Sequence, residues 1–142
     1  MPDSHTKEQR SFNMSRIRAK DTKPEEMVRR RLFSLGFRYR KNDPRLPGKP
    51  DIVLPKYQTV IFVNGCFWHK HEGCEYFVWP KSNADFWKRK IEGTAARDVR
   101  NNALLTQMGW RVLTVWECEL KTATSEDTLR ALVRAIRSED LN

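Results

Sequence analysis

The first regular pattern along the chain is a helical one. Thr22, Pro24 and Glu25 together are typical of a capped helix start. Apolar side chains then recur every three or four positions until Gly36 ends the pattern. Because this spacing places them on one side of a helix, the sequence predicts an amphipathic helix over residues 23–35.

Two apolar runs in the middle of the chain predict strands. Residues 52–54 and 59–64 are rich in apolar and β-branched side chains and are separated by a short turn, so together they predict a hairpin. Residues 37–40 predict another short strand, and the segment 41–50, which contains prolines and a glycine, is predicted to be a loop. These elements indicate a sheet that follows the first helix.

Helical spacing returns in the second half of the chain. Ser82 or Asn83 is suited to cap a long helix that runs to about Met108, where Gly109 favours its end. Residues 111–116 then predict a strand, and a last amphipathic helix follows. The apolar positions of that helix are Leu129, Leu132, Val133 and Ile136.

The order of these elements indicates one domain. A helix, a strand pair, a long helix, a strand and a last helix predict an α/β fold of three layers, with a central mixed sheet flanked by helices. A chain of 142 residues is long enough for one such domain. We place it at residues 21–142 and expect residues 1–20, which are polar and basic, to form an N-terminal arm; a disordered tail is the alternative.

The charge balance favours a polyanionic partner. The chain has 27 Lys and Arg against 18 Asp and Glu, which gives a net charge of +9 and makes nucleic acid the leading candidate. The sequence has neither a run of ~20 apolar residues that could cross a membrane nor the apolar segment of a signal peptide. We therefore expect a cytoplasmic, nucleoid-associated protein that does not bind membranes.

The three cysteines and one histidine are spaced like the ligands of a structural zinc ion. Cys66, His71 and Cys74 lie within nine residues, and Cys118 returns from the end of a predicted strand. Structural Zn²⁺ takes four thiolate or imidazole ligands, which leaves no position for a reactive water. The spacing therefore predicts a zinc ion that orders the loop. Three inert buried cysteines are the alternative, and His69 could replace His71 as the fourth ligand.

A possible nuclease site begins at the first strand of the hairpin. Asp51 precedes this strand, as in nucleases that bind Mg²⁺ with a carboxylate at a strand start. Such nucleases carry a carboxylate and a lysine on the neighbouring strand, where this sequence has Val63, Asn64 and Gly65. Mg²⁺ would then be held by Asp51, a backbone carbonyl such as that of Val63, phosphate and water. His69 is a candidate for proton transfer, with a structural role as the alternative.

Several segments together resemble the very-short-patch-repair (Vsr) family of DNA mismatch endonucleases. The segments are residues 46–51, 60–69, 109–113 and 116–118, with Arg10, Ser11, Asn13 and Met14 before them. The Gly-Cys-Phe-Trp-His run is the most specific of these. The resemblance implies a restriction-endonuclease-like fold and a hydrolase that nicks one DNA strand 5′ of the T in a T·G mismatch, a lesion left by deamination of 5-methylcytosine.

The resemblance also implies roles for individual residues. Asp51 and the Val63 carbonyl would bind Mg²⁺, His69 would be the general base, and Glu25 would orient the water or the histidine. The zinc ligands match those of the family. The implied DNA contacts are an aromatic wedge, a methionine of the arm and a lysine, namely Phe67, Trp68, Trp87, Met14 and Lys90. Core packing is the alternative for the three rings, and we assign Trp110 and Trp116 to the core.

Some positions depart from the family pattern. Val63 and Asn64 stand where members often have threonine and histidine, and Thr94 stands where an asparagine is expected. The resemblance further implies a functional link to mismatch-repair proteins and to a cytosine-5 methyltransferase, and nicking of one strand fits a monomer. Two other functions fit the residues: a related nuclease with another DNA specificity, and a zinc-stapled DNA-binding module without catalysis.

Overall fold

A computed structural model describes residues 22–75 and 77–138. In this part of the chain the elements are α1 (Lys23–Ser34), β1 (Arg40–Lys41), β2 (Ile52–Leu54), β3 (Thr59–Asn64), α2 (Ala84–Gln107), β4 (Arg111–Trp116) and α3 (Ser125–Arg137). Short 3-10 helices follow β2 and β4, at Pro55–Tyr57 and Glu117–Leu120. The predicted arm over residues 1–20, with Met14, lies outside the described residues. None of the described helices is long and apolar enough to cross a membrane.

The four strands form one mixed sheet in the order β1-β2-β3-β4. The first three strands are antiparallel neighbours, whereas β3 and β4 run parallel and are connected through α2. The parallel register places Asn64 beside Trp116 at the ends of β3 and β4. The segments that follow the two strands, one carrying Cys66 and the other Cys118, therefore begin side by side.

The two faces of the sheet bury different sets of side chains. Along β3, Ile61 and Val63 pack with α1 and α3, whereas Val60 and Phe62 pack on the side of α2, as strand alternation requires. Each large aliphatic side chain buried in this way contributes about 1.5–3 kcal/mol. Helices thus cover both faces of a mixed sheet, which confirms the predicted three-layer α/β fold.

Most predicted elements lie where the sequence places them, and two differ. The strand expected at residues 37–40 is shorter and later, because Phe37 is buried in the core and only the two residues of β1 pair with β2. Asn83 precedes α2, but its backbone is left-handed (φ 54°) and its side chain makes no capping hydrogen bond. Its carbonyl instead accepts the amide hydrogen of Trp87, so the expected side-chain cap is wrong.

The loop before Asp51 is organised around a second aspartate. Asp43 is buried, and it accepts hydrogen bonds from the backbone and the guanidinium of Arg45 while Arg40 lies 3.6 Å away. The hydrogen bonds from Arg45 lower the pKa of Asp43 to about 2. The preceding residue, Asn42, donates its amide hydrogen to the carbonyl of Asp51. This loop therefore determines where the first residue before β2 lies.

Candidate active site and metal centre

The four predicted zinc ligands lie together beyond the ends of β3 and β4. The ligand atoms of Cys66, His71, Cys74 and Cys118 are all within 4.8 Å of one another, so the group could hold a metal ion. The Cys118 sulfur is 3.5 Å from Nδ1 of His71. The histidine of this group is therefore His71, and His69 lies elsewhere, which decides between the two alternatives that the sequence left open.

The backbone of the loop explains why distant ligands meet. The amide of His71 donates to the carbonyl of Cys66, and the amide of Cys74 donates to the carbonyl of His71, so the chain turns back on itself twice. Burial raises the pKa of the Cys66 thiol to about 12 and also raises that of Cys118. Without a metal these thiols stay protonated near neutral pH, and a bound cation would displace their protons.

Trp116 belongs to the metal centre and not to the core where the sequence places it. Its ring lies 4.0 Å from the His71 ring with an angle of 3° between the planes, and it is only partly buried. The reason is that β4 ends at this residue, at the edge of the layer covered by the helices. Trp110, in contrast, packs against the smaller apolar cluster as expected. Trp116 thus packs on one of the four side chains that could hold a metal ion.

Asp51 lies directly before β2, beside the C-terminal end of β3. Its Oδ2 accepts the Val63 amide hydrogen at 2.6 Å. In an extended strand the N–H and C=O of one residue project to the same edge, so the Val63 carbonyl also lies on the Asp51 side. The pKa of Asp51 is raised to about 7, chiefly by burial and also by the charge of Glu25. The Val63 hydrogen bond, His69 and Arg29 have the opposite effect and lower it.

Glu25 and Arg29 form a buried ion pair on α1. They are one helical turn apart, with Oε2 and Nη1 separated by 3.3 Å. The backbone amide of Glu25 donates a hydrogen bond to the Thr22 hydroxyl oxygen at 3.4 Å, so the predicted helix cap is present as well. Because both charged groups act on the Asp51 carboxyl, α1 supplies a carboxylate and a guanidinium to the same site. Sequence reasoning missed Arg29, although its spacing from Glu25 was a usable signal.

His69 is held by a carboxylate on α2 that sequence reasoning also missed. Its Nδ1 lies 2.6 Å from Oδ2 of Asp98. Asp98 follows Ile91 by seven residues and precedes Leu105 by seven, and both of these are fully buried. An acidic residue on the apolar side of a helix was therefore the available signal. When Nδ1–H donates to a carboxylate, Nε2 is the nitrogen left free to accept a proton.

The three predicted wedge rings are in mutual contact. Ring centroids are 5.2 Å apart for Phe67 and Trp68, 5.6 Å for Phe67 and Trp87, and 5.8 Å for Trp68 and Trp87. All three are partly exposed, and neither apolar cluster of the described chain includes them. Lys90 is exposed on α2 one turn after Trp87, and its carbonyl accepts the Thr94 hydroxyl. The arrangement is a surface of aromatic edges beside cationic side chains.

Asn64 is the last residue of β3 and is buried between the two sites. Strand alternation directs its side chain to the α2 side of the sheet, like that of Phe62. The side-chain amide makes no hydrogen bond to any other described residue. A buried amide without a partner carries a free-energy penalty unless water or a ligand binds it, and this one lies at the open end of the sheet.

Comparisons with known proteins agree with this geometry. The family model described as DNA mismatch endonuclease Vsr matches residues 2–75. The Type II nicking enzyme V.NmeAIP of Neisseria meningitidis is 52% identical over 138 residues, which cover 96% of this chain and 98% of the relative. The Type II nicking enzyme V.XorIIP of Xanthomonas oryzae is 49% identical over 84% of this chain and 88% of its own.

A third relative is the DNA mismatch endonuclease Vsr of Escherichia coli, which is 44% identical over 121 residues, 85% of this chain and 77% of the relative. The layered mixed sheet is the one expected of a restriction-endonuclease-like fold, which is the fold of the family. With more than half of its length in the family model and nearly all of it aligned to a nicking enzyme, this chain belongs to the Vsr family of DNA endonucleases.

Proposed function

We propose that the protein hydrolyses one phosphodiester bond 5′ of the T in a T·G mismatch and so nicks a single strand, as very-short-patch repair requires. The observation that carries the proposal is the buried carboxyl of Asp51. It accepts a hydrogen bond from the Val63 backbone, and Glu25, Arg29 and His69 act on it electrostatically. That its relatives are named mismatch endonuclease and nicking enzymes supports it.

The catalytic cation in this proposal is Mg²⁺. Asp51 and the Val63 carbonyl would hold it, together with phosphate oxygens and water, which are the hard oxygen ligands that Mg²⁺ prefers. Burial, which raises the pKa of Asp51 to about 7, disfavours its charged form, and a bound cation would favour that form. When bound, Mg²⁺ neutralises developing charge on the scissile phosphate. Glu25 would orient water at the same site.

Proton transfer is assigned to His69. Asp98 accepts a hydrogen bond from Nδ1–H, which orients the ring and leaves Nε2 to take a proton from the attacking water as its oxygen bonds to phosphorus. The bond from phosphorus to the leaving sugar oxygen breaks, and that oxygen takes its proton from solvent water. Asn64 donates hydrogen bonds but has no acidic proton, so its buried amide would bind a phosphate oxygen or a water without acting as the acid.

Zn²⁺ is the proposed occupant of the Cys3His group. Three thiolates and one imidazole are its preferred donors, and four protein ligands leave no position for reactive water. The ion would therefore be structural. Its first two ligands, Cys66 and His71, lie on either side of Phe67, Trp68 and His69 in the sequence. The ion would therefore order two rings of the wedge and the proposed general base.

Mismatch selection would come from the aromatic wedge. Phe67, Trp68 and Trp87 would enter the base stack, with Met14 of the arm in the opposite groove and Lys90 on a base or phosphate. Separating a base step costs a few kcal/mol, and the cost is smaller beside a weakly paired T·G. A single catalytic site suffices for one nick, so we propose a monomer. Mismatch-repair proteins and a cytosine-5 methyltransferase would be functional partners.

The test is a nicking assay with Mg²⁺ on matched duplexes that differ only in one pair. We expect nicking of T·G at the strand carrying T, and at least a hundredfold less on T·A, C·G, other mismatches and single strands. Asp51→Ala should abolish nicking and retain T·G binding. Equal cutting of another substrate would instead identify a related nuclease of different specificity. Binding with no cutting by the unaltered protein would identify a non-catalytic DNA-binding module.

A further inference from the structure

Aromatic contacts continue beyond the proposed wedge in both directions. Phe77 lies 6.3 Å from Phe67, and Trp79 lies 5.0 Å from Phe77 in an edge-on arrangement. On the other side, Phe86 lies 5.2 Å from Trp87. We call these rings together with the wedge the aromatic row. The wedge is thus the middle part of a longer continuous surface.

The ends of the aromatic row are more exposed than its middle. Trp79 is 40% exposed, its neighbour Val78 is 68% exposed and Phe86 is 52% exposed, whereas the wedge rings are partly buried. When a partner covers exposed apolar surface of this kind, binding is favoured by about 25 cal/mol per Å² removed from water. A contiguous apolar patch beside a proposed binding surface is therefore a candidate contact for the same partner.

A cation lies at the Trp79 end of the row. The ammonium of Lys70 is 5.8 Å from the centre of the Trp79 ring, and 3.6 Å from the exposed carboxylate of Glu72. An apolar ring beside an ammonium group matches the two parts of a nucleotide, because the ring can pack on deoxyribose while the ammonium binds phosphate. The chain's net charge of +9 has the sign that such a contact requires.

We propose that Trp79 and Lys70 form a second DNA contact on one flank of the mismatch, with Trp79 on a deoxyribose and Lys70 on the adjacent phosphate. The inference rests on the proposed function, since it takes the wedge to mark where the duplex lies. Two ring contacts, of 6.3 and 5.0 Å, separate Trp79 from Phe67. With about 3.4 Å per base pair, the contact lies within about three base pairs of the opened step.

The experiment measures affinity for a T·G duplex in the Asp51→Asn background, so that the bound DNA is not cut. Trp79→Ala should weaken binding about tenfold, and Trp79→Phe should restore most of the loss because it keeps an aromatic face. The preference for T·G over T·A should stay unchanged, because the wedge provides it. Phe33→Ala is the matched control: this ring is 58% exposed with the Arg38 guanidinium 4.7 Å above it, but it lies on α1, and its removal should not change affinity.

The phosphate is located with duplexes in which single phosphates are replaced by neutral methylphosphonates. One replacement within about three base pairs of the mismatch should weaken binding of the protein with Lys70 and have no effect on Lys70→Gln. The same variant should lower the slope of log Kd against log salt by about 0.9, the value for one phosphate contact.

The outcomes separate this inference from the function on which it rests. If the Asp51→Asn protein shows no preference for T·G, both proposals fall. If that preference is present but Trp79→Ala binds like its parent, or Phe33→Ala weakens binding equally, only the second contact is overturned. The second contact would also be overturned if every methylphosphonate position affected the parent protein and the Lys70→Gln variant equally.

Discussion

The Cys3His metal centre and the Asp51 site lie at the same end of the sheet and are built in opposite ways. Three of the four metal-binding residues come from nine consecutive positions, and their ligand atoms lie within 4.8 Å of one another. The Asp51 site instead draws Glu25, Asp51, His69 and Asp98 from separate parts of the chain. The first arrangement brings four possible metal ligands together, whereas the second holds a carboxyl whose pKa is raised by burial.

The loop that follows β3 contributes residues to both regions. Cys66 and His71 belong to the metal centre, and the residues between them include the proposed wedge rings and His69. His69 is not part of the Cys3His group and is hydrogen-bonded through Nδ1 to Asp98 on α2. We infer that the metal centre supplies order and the Asp51 site supplies chemistry. Substitutions in each region test that division.

Replacing a metal ligand should unfold the region. Structural zinc sites contribute about 10 kcal/mol or more of apparent binding free energy, so Cys66→Ser should lose the ion and melt at least about 10 °C lower. Metal analysis and calorimetry check this. Glu72→Ala, an exposed residue of the same loop, is the control and should keep both the ion and the melting temperature. A Cys66→Ser protein that is metal-free and equally stable would contradict the structural role.

Replacing Asp51 should do the reverse and remove activity without loss of structure. Loss of the metal-binding carboxylate removes several kcal/mol of transition-state stabilisation, so Asp51→Asn should nick T·G at least about 1000-fold more slowly. Its melting temperature without added Mg²⁺ should be unchanged or higher, because the buried carboxyl is itself unfavourable. Single-turnover nicking and a thermal melt measure the two effects. Unfolding of this variant would erase the contrast with Cys66.

Asp98 is expected to act through His69. Asp98→Asn should keep the helix and the ring contact but no longer stabilise the protonated imidazole, so nicking should fall about 10- to 100-fold. The affinity for the T·G duplex should stay unchanged, which a loss of structure would not allow. Asp85→Asn, an exposed acidic residue in the first turn of the same helix, should leave both the rate and the affinity unchanged.

The raised pKa of Asp51 predicts that stability depends on pH in the absence of Mg²⁺. Its pKa is about 7 in the folded protein against an ordinary value of 3.8, so between these values the folded state binds the extra proton. The stability contribution is present at low pH and is lost as pH rises through 7, by about 1 kcal/mol per pH unit between pH 5 and 6. Urea titrations of the parent and Asp51→Asn should differ by this slope. Parallel curves would contradict the assigned pKa.

The sequence predicted the elements of the fold well because their signals are local. Helix α1 and strands β2, β3 and β4 lie at or within one residue of the predicted positions, since each is bounded by turn residues and carries its own apolar pattern. Strand β1 and the Asn83 cap were less predictable. The first depends on how much of β2 is available for pairing, and the second on a left-handed backbone that the residue type does not specify.

The layered fold and the set of residues from which a metal site could be built follow from the amino-acid sequence, because ligand spacing and hydrophobic period are properties of neighbouring positions. Three-dimensional contacts show that His71 and not His69 joins the cysteines, that Trp116 stacks on His71, and that Asp98 holds His69 across 29 positions. The raised pKa of Asp51 also arises from such contacts. These depend on distances and burial between segments far apart in the chain, and the parallel pairing of β3 with β4 is what brings such segments together.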